Sequence, residues 1–157
     1  DRLILVDAAG YPFKSTSVPL GFRMARIPGV NRLMEYTLPY ALVQASVRSV
    51  YGDPGKATPE LVDRYFELTL REGNRHALAQ RFAQMNFLGH EKIQSIKLPT
   101  LILWGGQDRL IPPDNAASFQ RDIAGSQVVM FEALGHVPHE EDPVATVEAV
   151  RRFLQAK

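Results

Sequence analysis

With 157 residues, 45% of them hydrophobic and 22% charged, and a formal net charge of +1, the chain has the composition of a folded globular protein. That balance excludes a largely disordered chain and a protein built around a concentrated basic face for nucleic acid. Having no cysteine, the chain excludes a disulfide framework, a thiolate nucleophile and a thiolate metal site, and it suits a reducing, cytoplasmic compartment.

In chain order, Arg2 to Val6 (RLILV) is a continuous apolar run closed by Asp7-Ala8-Ala9-Gly10. Such a run predicts a parallel strand buried on both faces. The chain opens on this segment and not on Met, so the expectation is that it is the C-terminal part of a longer protein.

From Val18 to Phe87 no strand pattern occurs, only helical periodicity broken by Pro28, Pro39, Pro54 and Pro59. Thr58 followed by Pro59 predicts a helix start, with Leu61, Tyr65 and Leu68 on one face. A second helix is predicted from Asn74 to Met85, with Leu78, Phe82 and Met85 aligned. From Phe13 to Lys97 there are twelve Lys/Arg and seven Asp/Glu; from Leu98 to Lys157 there are five and eight. Solvated helix faces of opposite bias account for the difference; a basic region that draws anionic substrates or an anionic membrane surface is the sharper alternative.

Two further apolar runs, Thr100 to Trp104 and Gln127 to Phe131, predict buried strands, with a helix from Asp114 to Ala124 between them. Strand, helix and strand over about 30 residues form a βαβ unit of a parallel sheet. The last helix is predicted to start at Asp142-Pro143 and to lay a stripe of Val144, Val147, Val150 or Arg151, and Leu154 on the sheet. No apolar run approaches the roughly 18 to 20 residues of a membrane span.

Asp108 follows the second of these runs in a loop rich in Gly and Pro, and His136 follows the third just after Gly135. Loops at the carboxyl ends of adjacent parallel strands bring side chains together. A carboxylate beside an imidazole fixes its tautomer and stabilises its cation, which makes the ring a base for a hydroxyl nucleophile. The blander roles are a loop aspartate bonded to Arg109 or to the next helix, and a satisfied loop histidine. Asp7 is a rival acid, with a buried turn aspartate as its other role. His139 and Glu140 lack the i, i+4 spacing of a helical zinc motif, so no metal is expected. Gly105-Gly106 is no phosphate loop. Trp104 is expected in the core, and His76 and His90 on the surface.

The segments DRLILVDAAG, PTLILWGGQDRLIPP and LGHVPHEEDP resemble the α/β-hydrolase fold family, in its branch of esterases, dehalogenases, epoxide hydrolases and carbon–carbon hydrolases that carry a cap. The resemblance implies an α/β fold: residues 1–12 and 96–157 as the C-terminal part of the parallel sheet, and 13–95 as an inserted all-helical cap. It implies Asp108 as triad acid and His136 as triad base, a small-molecule substrate, an ester or similar bond cleaved through a covalent intermediate, and no cofactor. The family's nucleophile stands on a Gly-x-Ser-x-Gly elbow about 20 residues before the strand that opens this chain. No such motif occurs in the chain, so the segment alone is expected to be inactive and, with an open sheet edge, to self-associate. Whether the nucleophile is Ser or Asp stays open. Many carbon–carbon hydrolases carry a tryptophan after the catalytic histidine, where Val137 stands here. The alternative is a noncatalytic ligand-binding or interaction protein on the same scaffold.

Overall fold

The computed structural model describes residues 1–27, 29–84 and 89–156. The three apolar runs become β1 (Leu3–Val6), β2 (Thr100–Gly105) and β3 (Gln127–Phe131). They pair in parallel in the order β1-β2-β3, with Ile4 beside Leu101 and Ile102 beside Val128. All of β2 is buried, as a central strand covered on both faces must be, and this is why its sequence is continuously apolar instead of alternating.

Alternate residues of β2 serve opposite faces. Ile102 and Trp104 pack with Tyr11, Ile111, Ala116, Phe119 and Ile123, which brings helix α6 (Asp114–Asp122) onto one side. Leu101 and Leu103 pack with Ala149 and Phe153 of helix α8 (Pro143–Gln155) on the other. Trp104 is core as expected, its indole N–H donating to the Ile111 carbonyl at 3.2 Å. Asp142 ends the short helix α7 (Pro138–Glu141) and caps α8 through Ala145 N–H at 2.9 Å, with Pro143 in the first turn.

The face that α8 turns inward differs from the expected one. Val144, Val147 and Leu154 are 76%, 46% and 52% exposed, whereas Thr146, Ala149 and Phe153 are buried and Val150 packs beside them. Small residues at 146 and 149 let the helix approach the sheet closely enough to bury the Phe153 ring. Arg2 reinforces this choice by donating to the Phe153 and Ala156 carbonyls and lying over that ring.

Between β1 and β2 the described residues hold no strand. They form α1 (Leu20–Ala25), α2 (Val30–Tyr36), α3 (Tyr40–Val50), α4 (Pro59–Leu70) and α5 (Asn74–Gln84), with short 3-10 turns at Pro54–Lys56 and His90–Ser95. Proline punctuates them as predicted: Pro39 precedes α3, Pro54 opens a turn, and Pro59 starts α4 behind a Thr58 cap that accepts from Leu61 N–H at 3.3 Å. The inward face of α4 is centred on Val62, with Leu61, Tyr65 and Phe66 beside it, whereas Leu68, expected there, is exposed. In α5, Leu78 borders an apolar cavity described below. Met85 and the side chain of Phe82, expected on the same face, lie outside the described residues, as does Pro28. No helix among the described residues is long and apolar enough to cross a membrane.

Candidate active site

β2 and β3 end side by side, and the loops after them carry Asp108 and His136. The backbones of the two loops lie in contact: Gly106 N–H donates to Phe131 C=O and Gln107 N–H to Leu134 C=O, both at 2.8 Å. A side chain at Gly105 would collide with the Leu134 and Gly135 carbonyls, so the glycine pair serves close approach of the two loops.

This approach brings His136 Nδ1 to 2.8 Å from Asp108 Oδ2. The other Asp108 oxygen accepts from Leu110 and Ile111 N–H, at 2.8 and 2.9 Å, and the side chain is wholly buried. Fixed at both oxygens, the carboxylate has one geometry to offer. An ionised carboxylate only accepts, so Nδ1 carries the proton and Nε2 is left as the basic nitrogen on a ring that is 23% exposed. Asp108 therefore combines an Asx-type turn with the histidine contact.

The loop of His136 is also held from the helical side. His136 N–H donates to the Val50 carbonyl at the end of α3, at 2.8 Å, and Val137 packs into the cluster of Val43, Val47, Tyr51 and Val62. Glu141, 7% exposed, accepts from Gly135 N–H at 2.6 Å and from Gly52 N–H at 3.0 Å. Its neighbour Glu140 takes the Tyr51 hydroxyl at 2.7 Å and the Tyr65 hydroxyl at 3.0 Å. Burial, followed by the facing Glu140 carboxylate, pushes both phenols up, Tyr51 with the help of its hydrogen bond and Tyr65 to about 12. The reading of the sequence did not single out Glu141 or Tyr51, and placed Tyr65 only on the apolar face of a helix. Glu140 lies 89 residues from Tyr51 and 75 from Tyr65, and Glu141 joins Gly135, six residues away, to Gly52, 89 residues away, so no local motif links them.

Asp7, the rival acid, directly follows β1 and lies beside this pair. It is 4% exposed and has a positive φ of 42°; its N–H continues the ladder to Leu103, and Oδ1 accepts Gly105 N–H at 2.8 Å. Asp7, Asp108 and His136 each bring one ligating atom to within 4.8 Å of the others. His139 is exposed and Glu140 faces the two tyrosines, so neither joins that group. His76 and His90 are at the surface, His76 beside Gln80 and His90 beside Tyr11. The hydroxyls of Ser46, Ser49, Ser95 and Ser118 bond to carbonyls of their own turns, and that of Ser15 to Leu110.

An apolar cavity of about 170 Å³ lies among the helices, bordered by Phe22, Met34, Leu42, Val47, Val50 and Leu78. Val50 belongs both to its wall and to the backbone bond that holds His136.

A model of the family described as "Alpha/beta hydrolase family" matches residues 1–149. The AB hydrolase superfamily protein YisY of Bacillus subtilis is 31% identical over 154 residues, covering 98% of this chain and 56% of that protein. Lipase 1 of Psychrobacter immobilis is 28% identical, over 99% of this chain and 49% of its own length. Among solved structures, a meta-cleavage product hydrolase of Pseudomonas fluorescens (CumD) superposes with a TM-score of 0.75 at 22% identity, over 98% of this chain and 55% of that one. An esterase of Exiguobacterium antarcticum gives 0.72 at 19%, over 99% and 57%. These two structural likenesses carry the fold. The chain spans about half the length of the curated relatives that it matches end to end.

Proposed function

Because the chain belongs to the alpha/beta hydrolase family, we propose that Asp108 and His136 are the acid and the base of a nucleophile–His–acid triad that cleaves an ester or similar bond in a small molecule. The observation that carries this reading is the 2.8 Å bond between His136 Nδ1 and a fully buried Asp108, which leaves Nε2 on the partly exposed side of the ring. In the proposed reaction Nε2 takes the proton of a hydroxyl as it attacks the substrate's carbonyl carbon. Asp108 stabilises the imidazolium so formed, and the same proton then passes to the leaving group.

The nucleophile and the amides that would stabilise the oxyanion are assigned to sequence preceding Asp1 in a longer protein, on the family's strand-to-helix elbow. Residues 13–95 are assigned the role of a lid over the strand ends, its apolar cavity receiving the hydrophobic part of the substrate. The bond of Val50 to His136 N–H would then join the lid to the base. A compartment without oxidising chemistry suits a chain free of cysteine.

The test compares this segment with a longer protein that continues it through a Gly-x-Ser-x-Gly half. The segment alone should neither hydrolyse p-nitrophenyl esters nor label with a serine-directed phosphonate; the longer protein should do both, and His136→Ala should abolish both. The second reading, a noncatalytic ligand-binding protein, is favoured by one observation: neither Asp108 nor His136 borders the apolar cavity. Retention of an apolar ester without turnover by the longer protein would support it.

A further inference from the structure

Among the described residues, Asp7 brings a carboxylate oxygen to within 4.8 Å of the ligating atoms of Asp108 and His136, and the reaction above does not use it. Three observations set it apart from a turn aspartate. Its backbone occupies the left-handed region, which costs a residue other than glycine on the order of 1 kcal/mol or more and persists only where the surroundings enforce it. Its Oδ1 takes the Gly105 N–H, the amide at the end of β2. Its Oδ2 is buried with no hydrogen-bond donor among the described residues. An ionised Asp7 would leave that oxygen both charged and unpaired beside a second carboxylate, an arrangement that buried groups avoid by staying protonated.

We propose that Asp7 is a positioning residue for the triad acid: a neutral carboxylic acid whose Oδ2–H donates to the Asp108 carboxylate and holds it against His136. Hydrogen-bond accounting on Asp108 supports the direction. Two backbone amides fill Oδ1, and His136 takes one of two acceptor sites on Oδ2, which leaves one site for a donor. The ionisable groups facing Asp7 are Asp108 from the loop after β2, and His136 and Glu141 from the segment after β3. Burial, opposed by the Gly105 N–H and reinforced by the negative charges of Asp108 and Glu141, pushes Asp7 up to about 8. At neutral pH the cluster of Asp7 and Asp108 then holds one negative charge, and above about pH 8 it holds two next to the imidazole. The inference rests on the triad reading for its meaning in catalysis, but its evidence can be read from this chain alone.

The experiment is a carboxyl- and imidazole-detected NMR titration of the 157-residue chain, with Asp7→Asn and Asp7→Ala alongside. The Asp7 carboxyl carbon should titrate near pH 8 instead of near 3.8, and the His136 ring nitrogens should show an inflection at the same pH that is missing in Asp7→Asn. Asn keeps an acceptor for Gly105 N–H and a donor for Asp108, so Asp7→Asn should retain the His136 Nδ1–H resonance, whereas Asp7→Ala should lose it to exchange. Because the folded chain favours the protonated form, the Asp7 contribution to stability is whole below pH 3.8 and is lost as pH rises through about 8. The melting temperature of Asp7→Asn should therefore draw level with, and then exceed, that of the parent as pH rises. An Asp7 midpoint near 4 in the parent chain overturns the proposal even if neither variant folds, and so does an unchanged His136 titration in Asp7→Asn. Failure of the triad reading would look different: His136→Ala would keep turnover in the longer protein while the Asp7 titration stood.

Discussion

At the residue scale the proposed chemistry turns on a single oxygen atom. Asp108 Oδ2 points at His136 because two backbone amides hold Oδ1, and those amides belong to the turn that Asp108 itself nucleates. In the longer protein Asp108→Asn should lower kcat by about 10⁴-fold with little change in KM, because an amide in this place favours the wrong imidazole tautomer. Steady-state ester hydrolysis is the check. If Asp7→Asn were the variant that lost this rate, while Asp108→Asn kept it, the acid would be misassigned. Glu141 makes a separate claim, since it is buried and accepts from the amides of Gly52 and Gly135. Glu141→Ala should cost about 1–3 kcal/mol in denaturant unfolding, the penalty of leaving buried donors unpaired. Asp108 and His136 could be found in the sequence because each follows an apolar run and a glycine. Glu141 could not, since it joins Gly135 to the amides of Gly52 and Asp53, 89 and 88 residues away, and no spacing links the two.

Among the elements, α8 shows where periodicity stops informing. Its sequence offers two apolar stripes at helical spacing: the expected one of Val144, Val147, Val150 or Arg151, and Leu154, and that of Ala149 and Phe153. Counting favours the first, of which only Val150 packs inward. Burial follows the second, because one aromatic ring with small residues before it fills the groove against Leu101 and Leu103 better than three aliphatic side chains would. Phe153→Ala should therefore destabilise the chain by about 3–5 kcal/mol. Val144→Ser, at a position 76% exposed, should stay within about 0.5 kcal/mol. Equal losses in urea unfolding would mean that α8 packs with the other face. The strands were legible for the opposite reason: a continuously apolar run flanked by punctuation leaves no choice of face to get wrong. Only β2 is buried throughout, however; β1 is half-buried and β3 half-buried after an exposed Gln127, not buried as expected. In α4 the ambiguity returned, and Leu68 was expected inside where Val62 and Phe66 are the packed residues.

At the scale of the whole molecule, the sheet has three strands among the described residues, and there β1 pairs on one side only. That edge carries no proline, and the outer stripe of α8 leaves Val144, Val147 and Leu154 open to solvent. Edges and patches of this kind drive association. At micromolar concentration the 157-residue chain should scatter light as a dimer or larger species; a monodisperse monomer would show that the edge is tolerated. Fold and pair of loops were readable from the sequence because both follow from strand ends in parallel register. The junction between the helices and the His136 loop was not, since it depends on the Val50 carbonyl, a backbone atom that no side-chain pattern announces. The most direct measurement of the assigned chemistry is the kcat for ester hydrolysis by the longer protein with and without His136→Ala. A fall of several orders of magnitude, with phosphonate labelling lost in parallel, is the expected result; a rate within a few-fold of the parent would contradict the assignment of His136 as the base.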